Sequence, residues 1–297
     1  MTQQAMLHMR RAIAFTALCL AAVPAFAGDA PAEDSAGKPA ASVAITAADL
    51  SQGDPADLPE RARAPLARGD ASALSAGGIT VSANVTLASE YRFRGIDLSG
   101  GDPAVQGGID IGHDSGFYAG SWASTLDEAT VGYGALELDF YGGWSGPVGE
   151  GLTANIGVIA YTFPDAPAGD FDYYELYGSL GFTLGPAQAR IGAAWDPAKD
   201  GLEFGGLRRD NLYLYTDLSA GVPGTAVTVS AHLGYTDGAI DFAGDSQSFD
   251  WSLGADYAIR GTPLTFGLAY VDAAEDVATG AFNPTSGTVV ATLTAGF

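Results

Sequence analysis

Apolar and polar positions alternate along the last stretch of the chain with the period of a β-strand. In residues 289–297 every odd position is apolar, whereas the even positions are mostly small or polar. Successive side chains of a strand point to opposite faces. An outer-membrane barrel uses such a strand to close its sheet, with the terminal aromatic at the lipid interface. The pattern predicts a closing strand, and it predicts that Phe297 is recognised by the barrel-assembly machinery.

The same alternation starts at residue 79, and no helical period interrupts it afterwards. Val85, Leu87, Tyr91 and Phe93 are predicted to face lipid, while the polar positions between them face a lumen. A soluble β-sandwich also alternates in this way, so the period alone leaves both folds open.

The connections between the alternating stretches favour the barrel. Short Gly-, Pro- or Asp-containing turns alternate with longer polar loops, which is the topology of bacterial barrels with short periplasmic turns and long outer loops. The fold class predicted is therefore all-β, a 12-stranded antiparallel transmembrane β-barrel of outer-membrane type. Its strands are predicted at 79–94, 104–113, 117–126, 134–145, 152–163, 171–184, 187–195, 210–220, 225–236, 249–260, 264–271 and 287–297.

The first part of the chain has a different organisation. Residues 1–27 combine Arg10 and Arg11, a short apolar run and a small-residue cleavage site, which predicts a secretory signal peptide. Residues 28–77 are rich in Ala, Pro, Asp and Ser without any period, which predicts a disordered periplasmic lead-in of undetermined role. Residues 78–297 are the predicted barrel, so the expected location is the outer membrane with the lead-in in the periplasm.

Composition narrows the possible partners. The formal net charge of −22 argues against nucleic acid, which attracts Lys and Arg. The single cysteine lies in the predicted signal peptide, so no disulfide or cysteine-ligated metal is expected in the mature protein. No cofactor, metal site or catalytic residue is predicted. The expected partners are outer-membrane lipid, lipopolysaccharide and an unidentified small hydrophilic solute.

The candidate site is the inner face of the barrel. Charged residues that the alternation places there would give an aqueous pore a weak cation preference, or they would pair across a narrow lumen and hold it rigid. Five tyrosines are predicted to face inward as well: Tyr141, Tyr173, Tyr177, Tyr213 and Tyr215. The predicted pore-lining set is Glu90, Arg92, Arg94, Asp110, Glu137, Asp139, Glu175, Arg190, Asp217, Asp250, Asp256 and Arg260.

A lipid hydrolase is the less favoured alternative, because some twelve-stranded barrels hydrolyse lipids. His113 and Ser115 lie in one tight inner turn, where adjacency in sequence does not produce a catalytic relay. His232 faces the lumen and is predicted to join a polar network. A hydrolase would require a serine and a histidine at the outer end of one lipid-facing side.

Several stretches resemble the TorF family of candidate porins, formerly the proteobacterial conserved hypothetical family Gcw_chp. The resemblance is carried by residues 91–96 (YRFRGI), 102–108 (DPAVQGG), 115–124 and 136–141 (LELDFY), and more weakly by 250–254 and 267–270. It implies a secreted outer-membrane barrel and does not imply a particular solute or catalytic residue.

The function predicted from these observations is that of an outer-membrane porin, through which small hydrophilic solutes diffuse passively. The alternative is a closed barrel with a structural or surface-binding role. An inward-folding constriction by Lys199, Arg208 and Arg209 in a long outer loop is a further possibility, although a surface role for them is simpler.

Overall fold

A computed structural model of the protein describes residues 74–167, 171–197, 210–238, 247–274 and 282–297. For residues 74–76 it describes the backbone alone. The predicted signal peptide 1–27, nearly all of the lead-in 28–77, and Lys199, Arg208 and Arg209 lie outside the described residues. Within the described ranges no helix is long and apolar enough to cross a membrane.

The described chain is almost entirely β-structure, apart from one short helix, α1, at Glu128–Val131. A two-residue strand pair, β3 and β4, lies in the first of the longer loops. We call the end of the barrel that carries the longer loops its outer end, and these loops the outer loops. The strands are β1 Leu74–Ala76, β2 Ile79–Ala88, β3 Arg92–Phe93, β4 Ile96–Asp97, β5 Ala104–His113, β6 Phe117–Thr125, β7 Leu136–Gly149, β8 Leu152–Thr162, β9 Tyr173–Leu184, β10 Ala187–Asp196, β11 Asn211–Gly221, β12 Val227–Gly238, β13 Gln247–Ala258, β14 Leu264–Ala273 and β15 Thr288–Gly296.

Twelve of the described strands form the wall of a closed antiparallel barrel, as the sequence predicts. From β5 to β15 each strand pairs with its neighbours in sequence, and β2 pairs with both β5 and β15. Closure leaves the wall without a free edge, so its backbone groups are satisfied within the sheet, as a lipid environment demands.

The closing seam joins β2 to β15. Phe297 donates its N–H to the Ala83 carbonyl at 2.8 Å and accepts the Ala83 N–H at 3.0 Å. On the inner face the Thr86 and Thr294 hydroxyls are 2.8 Å apart. Beyond Phe297 the short strand β1 continues along the same side of β2, with Leu74 opposite Val81. The predicted closing strand is therefore confirmed.

The two faces of the wall differ as the alternation predicts. Outward side chains are apolar and exposed at the surface of the isolated chain, such as Val85, Leu87, Val289 and Phe297. The inward neighbours Asn84 and Thr86 are buried polar residues. This distribution is that of a transmembrane barrel, whose apolar band faces lipid.

The prediction for the first strand is wrong at the outer end of that strand. It was expected to run to residue 94, with Tyr91 and Phe93 facing lipid, but β2 ends at Ala88. Tyr91 and Phe93 are buried inside the barrel instead, packed edge-on against Trp122 and Tyr161 respectively. The alternation of apolar and polar residues continues beyond Ala88 because β3 and β4 are also strands, so the sequence pattern does not reveal where the wall strand ends.

Inward-facing glycines accommodate the tyrosine rings of neighbouring strands. Gly120 lies opposite Tyr141, Gly157 opposite Tyr177, and Gly192 opposite Tyr215. A Cβ at any of the three glycines would overlap the facing ring. These pairs fill the lumen near the wall, so each tyrosine lies flat over the neighbouring strand.

Substitution of Gly157 by alanine is expected to destabilise the barrel by about 1–3 kcal/mol, the usual cost of overpacking. The added Cβ would meet the Tyr177 ring and lie 2.7 Å from the Gly142 carbonyl oxygen. Urea unfolding in lipid vesicles, followed by tryptophan fluorescence, measures the change. Gly112→Ala is the matched control, because an inward Cβ there has no heavy atom within 4 Å. Equal stability of the two variants would contradict the packing argument.

Candidate functional site

The lumen changes character along its length. Inward side chains at the outer ends of the strands, such as Glu137, Tyr161 and Glu175, have an exposed fraction of 0%. Towards the ends joined by the short turns the inward positions are small or polar and partly exposed, as at Thr80 and Ser230. The described lumen is therefore filled in its outer half and accessible to solvent in the half that carries the short turns.

The first outer loop causes much of this filling. Strands β3 and β4 pair through Arg92 with Asp97 and Phe93 with Ile96, which leaves Arg94 and Gly95 as a two-residue turn. Both turn residues have positive φ, +49° for Arg94 and +79° for Gly95. This is the geometry of a type I′ turn, for which glycine at the second position is well suited. We call residues 92–97 the lumen hairpin.

The tip of the lumen hairpin spans the lumen between opposite parts of the wall. On one side Arg94 Nη2 donates to Glu175 Oε1 at 2.7 Å and to Oε2 at 2.9 Å. On the other side a Cβ at Gly95 would lie 2.9 Å from Ala273 Cβ and 3.1 Å from Asp250 Cβ. Strand β9 and strands β13 and β14 are thus linked through the hairpin tip.

The Arg94–Glu175 ion pair is almost completely removed from solvent. The side chains have exposed fractions of 2% and 0%. Tyr161 donates its hydroxyl to Glu175 Oε2 at 3.0 Å. Burial is the largest single influence and lowers the pKa of Arg94, but the combined attraction of Glu175 and the neighbouring tyrosines outweighs it and holds the pKa above its ordinary value. The guanidinium therefore stays charged in this environment.

Outer-loop contacts hold the base of the hairpin. The Asp97 N–H donates to the Pro284 carbonyl at 2.7 Å, and Asp97 accepts backbone N–H groups from Ser99 and Gly101. Arg92 Nη1 donates to the Pro284 carbonyl at 2.8 Å. The hairpin base is anchored at the outer rim, so the tip projects inward from a fixed support.

A second polar cluster follows the inner wall from β10 to β13. Arg190 Nε lies 3.3 Å from Asp217 Oδ2, and His232 Nδ1 lies 2.7 Å from Asp217 Oδ1. His232 Nε2 is 2.8 Å from the Tyr213 hydroxyl and 3.0 Å from Asp250 Oδ1. The prediction that His232 belongs to a polar network is confirmed.

Tyrosines dominate the opposite side of the lumen. The Tyr118 and Tyr177 hydroxyls are 2.6 Å apart, and Tyr118 donates to Asn155 Oδ1 at 2.7 Å. Tyr141 donates a short hydrogen bond to Asp110. All five tyrosines that were predicted to face inward are buried, and they pack in the interior of the barrel.

The structure distributes the predicted pore-lining residues over three places. Glu90, Arg92 and Arg94 belong to the first outer loop, so their prediction as members of a wall strand is wrong. Arg260 is exposed in the turn after β13, which ends at Ala258, so its prediction as a member of a wall strand is wrong too. The remaining eight lie at inward positions of wall strands: Asp110, Glu137, Asp139, Glu175, Arg190, Asp217, Asp250 and Asp256.

Glu90 and Arg190 each form a local ion pair. Glu90 pairs with Arg92 at 3.0 Å, and Arg190 pairs with Asp217 on the adjacent strand. Asp196 is a buried inward acid that the predicted set omitted. The signal that predicts it is the alternation along β10, which places Arg190 inward, Trp195 outward and therefore Asp196 inward.

Neither His113 nor His232 has the position that a barrel lipid hydrolase needs. His113 Nδ1 is 2.7 Å from Ser115 Oγ, but both residues are exposed at the short turn between β5 and β6. His232 is inside the lumen and bonded to carboxylates. Within the described ranges no group of three or more His, Cys, Asp or Glu residues is arranged to hold a metal ion.

Comparison with known proteins places these features in a family. Residues 72–297 match the family model described as bacterial protein of unknown function (Gcw_chp). No curated protein matches the sequence. The family model spans the whole of the barrel described above.

Solved barrel structures are similar at very low sequence identity. The KdgM porin is 7% identical with a TM-score of 0.49, over 73% of this chain and 98% of that protein. OccK5 (OpdH) of Pseudomonas aeruginosa is 14% identical with a TM-score of 0.37, over 75% and 67%. OmpT of Vibrio cholerae is 10% identical with a TM-score of 0.38, over 76% and 99%. Similarities of this size carry no information about a solute.

Proposed function

The chain belongs to Gcw_chp, a bacterial family of unknown function, and we propose that this member is an outer-membrane channel for small hydrophilic solutes. Solutes would cross the barrel by passive diffusion. We also propose that the chain is related to the TorF family of candidate porins, which residues 91–96 and 136–141 resemble. The lead-in would lie in the periplasm, on the side of the short turns.

The observation that carries the proposal is that part of the obstruction in the lumen comes from a loop segment and not from the wall strands. Wall strands contribute small and polar inward residues towards the short turns, whereas a loop segment, the lumen hairpin, adds Phe93, Arg94 and Ile96 to the buried residues of the outer half. A barrel meant only as a scaffold has no need of a solvent-accessible polar interior. Barrels of eight strands are filled by their own side chains and those of 16 to 18 strands are open, and twelve strands lie between them.

A cation preference is the second part of the proposal. The inward wall positions of the described strands carry eight acids, Asp110, Glu137, Asp139, Glu175, Asp196, Asp217, Asp250 and Asp256, against one arginine, Arg190. Arg94 adds one cation from the hairpin. An excess of carboxylates lining a narrow, low-dielectric passage attracts cations and repels anions.

Planar-bilayer recording of the refolded protein tests the channel, with folding checked by heat-modifiable gel mobility. Discrete conductance steps with a reversal potential shifted towards the cation value are expected. Silence from correctly folded protein would contradict a constitutively open channel.

Asp256→Asn is expected to reduce the cation preference by a measurable shift in reversal potential, with little change in stability. Asp256 faces the lumen in its periplasmic half, and removing one lining charge weakens the local field. Asp114→Asn is the matched control, because Asp114 carries the same charge in an exposed periplasmic turn. An equal shift from both variants would show that the lining charge at Asp256 has no special effect.

The filled outer half favours a second candidate, a closed barrel with a structural or surface-binding role. Phe93, Tyr161 and Tyr213 form a continuous buried cluster together with the hairpin. On that hypothesis removal of the hairpin leaves the barrel silent in bilayers.

A further inference from the structure

The Arg94 guanidinium occupies a compact box made by residues of the wall. Glu175 supplies both carboxylate oxygens, and Tyr161 fixes that carboxylate through its hydroxyl. The Tyr213 ring faces the guanidinium, with Arg94 Cζ 4.0 Å from its centroid. A carboxylate beside an aromatic face is the arrangement that binds organic cations. We call Tyr161, Glu175 and Tyr213 the cation box.

The cation in this box is carried by a loop rather than by the wall. Arg94 is the tip of the two-residue turn, and it is a non-glycine residue with φ of +49°. The box itself belongs to β8, β9 and β11, which are wall strands held on both sides. The box would persist as a site if the hairpin tip moved away, because no part of it depends on the loop backbone.

The fit of Arg94 to the box is incomplete. Only Nη2 reaches Glu175, and within the described part of the chain Arg94 Nε and Nη1 have no hydrogen-bond partner. A buried donor without a partner costs free energy. A guanidinium that is not tethered to a turn can orient two nitrogens towards the two carboxylate oxygens, the geometry that makes such pairs strong.

We propose that the cation box is a binding site for solutes bearing a guanidinium group, and that Arg94 occupies it as a tethered competitor. A free alkylguanidinium displaces Arg94 from Glu175 and Tyr213 and so releases the hairpin tip. The binding part stands on the box alone. Its consequence for permeation rests on the proposed channel function, because release of the tip would unblock the outer half of the lumen.

The chemistry favours guanidinium over a metal cation. Calcium takes six to eight oxygen ligands, while the box offers one carboxylate and one hydroxyl already bonded to it. The face of Tyr213 contributes to binding only a cation that tolerates desolvation, as the weakly hydrated guanidinium does. A planar, delocalised cation is therefore the class of ligand that matches.

Calorimetric titration of the refolded full-length mature protein with methylguanidinium chloride tests the proposal. Wild type, Arg94→Ala and the double variant R94A/E175Q are compared, with sodium chloride as the ionic-strength control. Methylguanidinium is expected to bind R94A at least about tenfold more tightly than the wild type, because Arg94 must leave the box first in the wild type. The double variant is expected to lose this binding.

Arg94→Met keeps an apolar stem in the box and serves as a second variant if R94A does not fold. Equal affinity of the wild type, the single variant and the double variant would overturn the proposal. Absence of methylguanidinium binding by both folded single variants would also overturn it. Calorimetry reports binding whether or not the barrel conducts, so a silent bilayer record with clear binding would reject the channel and retain the site.

Discussion

Replacement of Glu175 by alanine is expected to lower the free energy of unfolding by about 3–5 kcal/mol, because it leaves the Arg94 guanidinium buried without its partner. Arg94 has an exposed side-chain fraction of 2%, and no other carboxylate makes an ion pair with it among the described residues. The Tyr161 hydroxyl loses its acceptor as well. Urea titration in vesicles, monitored by tryptophan fluorescence, measures the loss.

The double variant Arg94→Met, Glu175→Leu is the control for this prediction. Replacing both members of a buried pair by apolar residues of similar volume is often neutral, whereas removing one member is costly. The double variant should therefore recover most of the stability that E175A loses. If E175A unfolds at the same urea concentration as the wild type, the carboxylate does not hold the hairpin in place.

Deletion of the lumen hairpin is expected to raise single-channel conductance several-fold. Replacing residues 92–97 by two glycines removes Phe93 and Arg94 from the outer half of the lumen, where both are buried against wall residues. The remaining obstruction would be the other side chains of the buried interior cluster, among them Tyr91, Trp122 and Tyr161. Conductance steps in a planar bilayer, compared at equal salt, measure the change.

Shortening the turn at residues 222–226, between β11 and β12, provides the control for the hairpin deletion. That turn is exposed at Val222 and Gly224 and lies outside the lumen. Deleting four residues of this turn shortens the chain as much as the hairpin deletion does, and it should leave the single-channel conductance unchanged. Unchanged conductance after the hairpin deletion, in protein with normal heat-modifiable mobility, would favour the closed structural barrel.

The wall of the barrel could be predicted from the sequence because one physical rule governs it throughout. Lipid on one side and a polar interior on the other force a period of two, and alternating turn lengths fix the topology. Strand β15 and its inward Thr294 follow this rule closely, as do Asp110 and Glu175. The predicted strand count and the closing pair β2–β15 are confirmed for the same reason.

The lumen hairpin could not be predicted, because its residues alternate with the same period of two as a wall strand although the segment lies inside the lumen. Tyr91 and Phe93 alternate with Arg92 and Arg94 whether the segment continues the wall or folds into the lumen. The distinguishing signal is the Arg94-Gly95 turn, whose glycine at the second position suits a type I′ hairpin. Long-range partners such as Glu175, 81 positions away, are not visible in local patterning.

The seam between β15 and β1 has a topological consequence. Phe297 lies opposite Ala83, Leu74 lies opposite Val81, and both strands run antiparallel to β2. One backbone position, the one facing Ser82, separates them along a common ladder. Strands β15 and β1 therefore occupy the same edge of β2, so the first and last strands of the described chain share a single partner. The register of β2 fixes the position of both ends of the described barrel at once.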